Sequence, residues 1–281
     1  MLYDAHNHLQ FDELSDHLNS IIPVLNSIRL GGAVVNGTHP DDDWDAVARL
    51  DQTIDWVLPS YGIHPWDVGN RPPYWREKFP ARFDASPHAA VGEIGLDRWI
   101  LDSAHPEDPR LIGVRRAPFK EQTEVFRWQL AWAASHHRPV TIHCLQAWGP
   151  LLEILQTTRL PSCGFLIHAY GGPAEIVPAF ASLGAYFSFN TSFINPHKNR
   201  QRTAFREVPL DRLLIETDAP ATPPPAPVHE LPTPPHQSFG HLNHPANIAQ
   251  AYHALAALRE LPPDELEPII ESNFECLFIS S

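Results

Sequence analysis

His6 and His8 stand one residue apart in DAHNH (residues 4–8), directly behind a short apolar run. If residues 2–6 form a strand, alternation puts both imidazoles on one side, where both rings reach one point. That is the geometry of a metal-ligand pair, although a His-x-His also arises from surface composition alone. Other apolar runs supply partners: Glu93 in AAVGEIG, His143 in PVTIHC, His168 in GFLIHAY and Asp218 in RLLIETD. Taken singly, a strand histidine is ordinarily a hydrogen-bonded core or rim residue. Six such residues, each placed toward the carboxyl end of its run, point instead to a shared centre. Four imidazoles and two carboxylates exceed what one zinc ion takes, about three protein ligands plus water, and suit two divalent ions bridged by Glu93.

The elements that must position these residues follow from the hydrophobic pattern. Eight β-rich runs, at 2–6, 33–37, 56–63, 89–95, 139–144, 164–170, 185–190 and 212–218, alternate with helical spacing. The alternation predicts a parallel sheet covered by helices, most simply a closed (β/α)8 TIM barrel formed by one domain over residues 1–281, with a doubly wound sheet as the other topology. In a barrel the carboxyl ends of the strands converge on one face, where catalytic sites are built. Leu14, Leu18, Ile21, Leu25 and Ile28 share a helical face that Pro23 is expected to break or restart. Residues 122–136 place Phe126, Leu130 and Ala133 on one face, with Trp128 and Trp132 read as packing; further helices cover 248–258 and start at Pro262.

Composition narrows the class. No stretch of eighteen or more apolar residues exists to span a bilayer, and no basic segment with an apolar core precedes the first strand, so a cytoplasmic monomer without a membrane partner is expected. Cys144, Cys163 and Cys276 have no C-x-x-C spacing and are read as reduced core residues. A net charge of −13 repels long nucleic acid, which any DNA-acting reading must answer. The proline-rich stretch 219–235 is expected to be extended, as a lid or a partner-binding arm. No glycine-rich phosphate loop is present.

The blocks DAHNH, GIHP (62–65), GEIGLD (92–97), Q-x3-F-x2-QL (122–130), PVTIHC (139–144), HAYGG (168–172), PLDRLLIETDAP (209–220) and N-x3-LF (273–278) occur in an order that resembles the TatD-type metal-dependent deoxyribonucleases of the amidohydrolase superfamily. The resemblance covers nearly the whole chain. It implies a TIM barrel of the metal-dependent hydrolase type, with ligands at His6, His8, Glu93, His143, His168 and Asp218, and hydrolysis of DNA phosphodiesters from the 3′ end. On this reading Glu93 bridges, His6, His8 and Asp218 hold one ion, and His143 and His168 hold the other. Asp218 is the expected base, His64 of GIHP a hydrogen-bond donor to substrate, and Asp97 and Asn243 orienting groups. The ions are magnesium by resemblance, or zinc or manganese by the softness of imidazole ligands. Two of them add +4 against −2 from Glu93 and Asp218, giving a locally positive pocket that favours DNA ends, oligonucleotides or small phosphodiesters.

The substrate-facing periphery departs from the family pattern. Where relatives read H-x-R-D-A, this chain has His143-Cys144-Leu145-Gln146-Ala147; where they read R-N-E-P, Leu242-Asn243-His244-Pro245 keeps only Asn and Pro. A long segment after the fourth strand, residues 99–120, carries Arg110, Arg115, Arg116 and Lys120 and is expected to hang over the metal face. Arg115 and Arg116 are the expected phosphate contacts; the alternative is a solvated loop pairing with Glu107, Asp108 and Glu121. Two other functions remain open: hydrolysis of a lactone, amide or phosphotriester, against which Glu93 stands where many such enzymes bridge their metals with a carboxylated lysine, and a metal-binding barrel without turnover.

Overall fold

The eight β-rich runs form eight parallel strands, and the computed structural model describes residues 1–232 and 241–280. In chain order they are β1 (Leu2–Asn7), β2 (Leu30–Gly37), β3 (Val57–Tyr61), β4 (Ala90–Asp97), β5 (Val140–Leu145), β6 (Phe165–Ile167), β7 (Ala185–Asn190) and β8 (Leu213–Glu216). Sequential order equals spatial order, and each strand pairs in parallel with the next. Helices between them cover the outer face, so the strands are buried on both faces and read as continuous apolar runs. The first and last strands meet where the Asp218 N–H donates to His6 O at 2.9 Å and the His8 N–H donates to Ala219 O at 2.8 Å. Asp4, buried in β1, adds bonds from the Thr217 N–H at 3.0 Å and hydroxyl at 2.6 Å. The result is a (β/α)8 TIM barrel.

Several local expectations need correction. Pro23 does not interrupt the first long helix, which runs Leu18–Ser27 through it. The break falls earlier, after the short helix Asp12–Ser15. Pro23 and Asn19 are both exposed, so the carbonyl left without its i+4 donor can be hydrated. Glu93 does not end its strand. β4 extends to Asp97 because its ladder with β5 continues through Gly95–His143 and Asp97–Leu145. An extra residue in β4 between Val91 and Ile94 shifts the register there, a bulge that re-aims the intervening side chains. Of the cysteines only Cys144 is buried; Cys163 is half-buried and Cys276 exposed, all as free thiols. Trp128 and Trp132 pack on Phe79, with ring centroids 5.4 and 5.0 Å away.

The proline-rich segment contains no helix as far as residue 232, and residues 233–235 lie outside the described residues. Among the described residues, no helix is long and apolar enough to cross a membrane.

Candidate metal centre

Glu93 is the hub of the polar cluster at the carboxyl-terminal mouth of the barrel. Its Oε2 lies 3.4 Å from Nε2 of both His6 and His8. Its Oε1 lies 2.8 Å from His143 Nδ1, 2.9 Å from His168 Nε2 and 3.4 Å from His64 Nε2. Asp218 Oδ1 completes the first group, 3.6 Å from His6 Nε2 and 3.7 Å from His8 Nε2. The two oxygens of one carboxylate thus face two separate sets of imidazole nitrogens.

These donors suit cations. His6 Nε2 and His8 Nε2 are 3.2 Å apart, and His143 Nδ1 and His168 Nε2 are 3.3 Å apart. Donors about 2.0–2.1 Å from a tetrahedral ion are roughly 3.3–3.4 Å from one another, so these spacings match a ligand shell. Tutoring of the rings by outer partners fits as well. Asn36 O can only accept, so the His8 Nδ1–H donates to it at 2.8 Å and leaves Nε2 facing the centre. The His143 Nε2–H points to Asp97 Oδ2 at 3.2 Å and leaves Nδ1 facing inward. Buried acceptors therefore converge on shared points, and only protons or cations relieve such an arrangement.

Asp97 is fully buried and also accepts from the Trp66 indole N–H at 2.6 Å and the Ile100 N–H at 3.0 Å. Asn243 works at longer range: its amide donates to Thr191 Oγ1 and Thr217 O, both at 2.9 Å, and so fixes the chain leading to Asp218. Glu216, which the spacing of the imidazoles does not single out, places Oε1 3.5 Å from His168 Nδ1. It is held by the Asn190 amide at 2.9 Å and by the Ser188 hydroxyl. The sequence signal for it is an acid two residues before Asp218 in LLIETD.

His64 differs from the other four histidines. Its Nδ1 accepts from the Trp66 N–H at 3.2 Å, so the proton of the neutral ring sits on Nε2, directed at Glu93. That makes His64 a donor at the centre, although its ring nitrogens also fall within ligating reach of Glu93 and His143.

The centre opens into a cavity of about 610 Å3, within the usual range for a small-molecule site. His8, His64, Glu93, His143, His168 and Asp218 all line it. Arg115 and Arg116 do not. Arg115 donates to Gly69 O at 2.6 Å and pairs with Glu121 at 3.0 Å, and Arg116 donates to His105 O at 2.9 Å. The loop reaches the cavity through Arg110 and Val114 instead.

The fields in the cluster oppose burial. Burial alone would neutralise Glu93, but the imidazoles of His64, His168 and His6 hold its carboxyl well below the usual range. Burial also disfavours a charged His143, yet Asp97 and Glu93 on its two nitrogens lift it to about 9. Burial and the neighbouring His168 push His6 down to about 4. Asp218 moves up to about 6, chiefly through burial.

Asp67, on the cavity wall, is raised from the ordinary 3.8 to about 7 by burial and by Asp43. A carboxyl raised in the folded state contributes stability that is full below pH ~4 and lost as the pH rises through ~7. Asp67→Asn should therefore stabilise the metal-free protein by up to about 4 kcal/mol at pH 8 and leave it unchanged at pH 4. Thermal melts at the two pH values read this directly, and an equal shift at both would contradict the assignment.

The family model described as TatD related DNase matches residues 3–279. The metal-dependent hydrolase YabD of Bacillus subtilis is 26% identical over 282 residues, covering 99% of each chain. A protein of Edwardsiella piscicida named 3′-5′ ssDNA/RNA exonuclease TatD is 27% identical over 215 residues, covering 74% of this chain and 75% of its own. The crystal structure of YjjV, a TatD homologue from Escherichia coli, superposes with a TM-score of 0.83 at 24% identity, covering 100% of this chain and 98% of the other. The chain belongs to the TatD related DNase family and is a metal-dependent hydrolase.

Proposed function

We propose that the protein hydrolyses phosphodiester bonds at the 3′ ends of single-stranded DNA or short oligonucleotides, using two divalent ions. The observation that carries this reading is Glu93, whose Oε2 faces His6 and His8 while its Oε1 faces His143 and His168. His6, His8 and Asp218 would hold one ion and His143 and His168 the other, with Glu93 shared. Such a pair, when bound, supplies a water of lowered pKa and neutralises charge building on phosphoryl oxygens.

The chain's own residues do the rest. Asp218 faces the cavity with its side chain 15% exposed, and its raised pKa suits a group that accepts a proton from water near neutrality. His64 directs its Nε2–H into the centre, where it donates to a phosphoryl oxygen once substrate displaces it from Glu93. Asp97 keeps His143 in the orientation that presents Nδ1. A cavity of about 610 Å3 has the size of a small-molecule site and suits a strand end or short oligonucleotide better than a long duplex, which reconciles nucleic-acid chemistry with a net charge of −13.

The test is incubation of the protein loaded with Mg, Mn or Zn with 5′-end-labelled single-stranded DNA, alongside lactone, amide and phosphotriester substrates. A ladder descending in single nucleotides from the 3′ end is expected. Hydrolysis of the carbonyl or phosphotriester substrates alone, or bound metal without any turnover, would overturn the reading.

A further inference from the structure

The loop between β4 and the helix Phe119–Ser135 builds a small core of its own. Ile100, Ala104 and Leu111 are buried together, with Trp66, Trp99, Leu101 and Val114 packed around them. The loop is also docked on the segment after β3: the Asn70 amide donates to Gly113 O at 3.0 Å, and the Arg115 N–H donates to Asn70 Oδ1 at 2.7 Å. Gly69 is required there, because a Cβ on it would lie 1.8 Å from Arg115 O. The loop is therefore a fixed part of the cavity wall.

Arg110 is what this platform presents. Its guanidinium carbon lies 4.6 Å from the ring centroid of Trp99 and 5.9 Å from that of Trp66. Asp108 grips one edge of the fork, accepting from Nε at 2.9 Å and Nη2 at 2.6 Å. Nη1 has no hydrogen-bond partner among the described residues, so its two N–H groups remain available. Among the described residues Arg110 is the one Arg or Lys lining the cavity, whose other charged walls include the acids Glu13 and Asp67. An anionic group in this cavity away from the metal centre has one cationic partner to find.

We infer that Arg110, fixed on the Trp66–Trp99 shelf by Asp108, binds a second phosphate of the substrate while the first lies at the Glu93 centre. This rests on the phosphodiesterase reading and deepens it: the site takes substrates carrying two phosphates in preference to those carrying one. Arg has the right chemistry, since a planar fork with one edge held and the other free gives a directed pair of charge-assisted bonds to phosphate.

The experiment is calorimetric titration of manganese-loaded protein with thymidine 3′,5′-bisphosphate and, separately, thymidine 5′-monophosphate. Wild type should bind the bisphosphate roughly 10- to 100-fold more tightly. In R110Q that ratio should fall toward one, and R110K, which keeps the charge without the fork, should retain part of it. A ratio unchanged between wild type and R110Q overturns the assignment. Binding and turnover separate the two failures. DNA cleavage with an unchanged ratio removes only the Arg110 subsite, whereas a collapsing ratio without DNA cleavage removes the phosphodiesterase reading and keeps the subsite.

Discussion

Glu93→Gln should lower kcat/KM on single-stranded DNA by at least about 10^3-fold and reduce the bound metal to one ion or none per chain. Glu93 is 3% exposed, and every oxygen-to-nitrogen distance around it lies between 2.8 and 3.4 Å. A glutamine keeps the shape but removes the negative charge and replaces one anionic oxygen with an amide NH2. That donor would point either at His6 and His8 or at His143 and His168, so one of the two sets loses its shared ligand whichever way the amide turns. The same substitution leaves the barrel's backbone hydrogen-bond ladder untouched, so the fold should persist, with a lower melting temperature without metal because His143 and His168 lose an ion-pair partner. Metal analysis and kinetics on the same sample decide the matter: full metal content with wild-type turnover would remove Glu93 from the centre.

The clustering of His6, His8, Glu93, His143, His168 and Asp218 was legible because each is a polar residue in an otherwise apolar run, and a barrel brings such residues to one mouth whatever their separation in sequence. The partners that orient them were less so. Glu216 of β8 acts on His168, which follows β6, across the intervening β7, and Asn36 fixes His8 through a backbone carbonyl, which no residue type announces. Glu93 was legible as a member of the polar cluster but not as a mid-strand residue, because a one-residue register shift is a property of the β4–β5 pair rather than of either strand. The loop was the least legible part. Its arginines are equivalent by charge, and only the contacts with Gly69, Asn70 and the Trp66–Trp99 shelf distinguish Arg110, which faces the cavity, from Arg115 and Arg116, which hold the loop.

Metal loading should release protons and tighten steeply with pH. Without metal, His143 has a pKa of about 9 and that of His168 is well above its ordinary value, because Glu93 with Asp97 for one and with Glu216 for the other outweighs their burial. His143 is therefore protonated at pH 7, and an ion taking His143 Nδ1 must displace that proton, with His168 shifted in the same sense. His6, held down to about 4, and Glu93, already ionised, release none. Each displaced proton is worth about tenfold in apparent affinity per pH unit, so the His143 proton alone should give roughly a 10^2-fold gain between pH 6 and 8, and His168, raised in the same direction, adds to it. The gain should flatten as the pH passes about 9, where His143 loses its proton unaided. In the metal-free chain the sign is opposite: the His143 ion pairs stabilise the fold fully below pH ~6.5, and that contribution is lost as the pH rises through ~9. Adding Zn or Mn to a weakly buffered, metal-free sample at pH 7 with a pH indicator counts the protons, and a count near zero would contradict the protonation of His143. Asp97→Asn sharpens the comparison, since it withdraws one of the two carboxylates that lift His143 and should lower the count and the pH slope together.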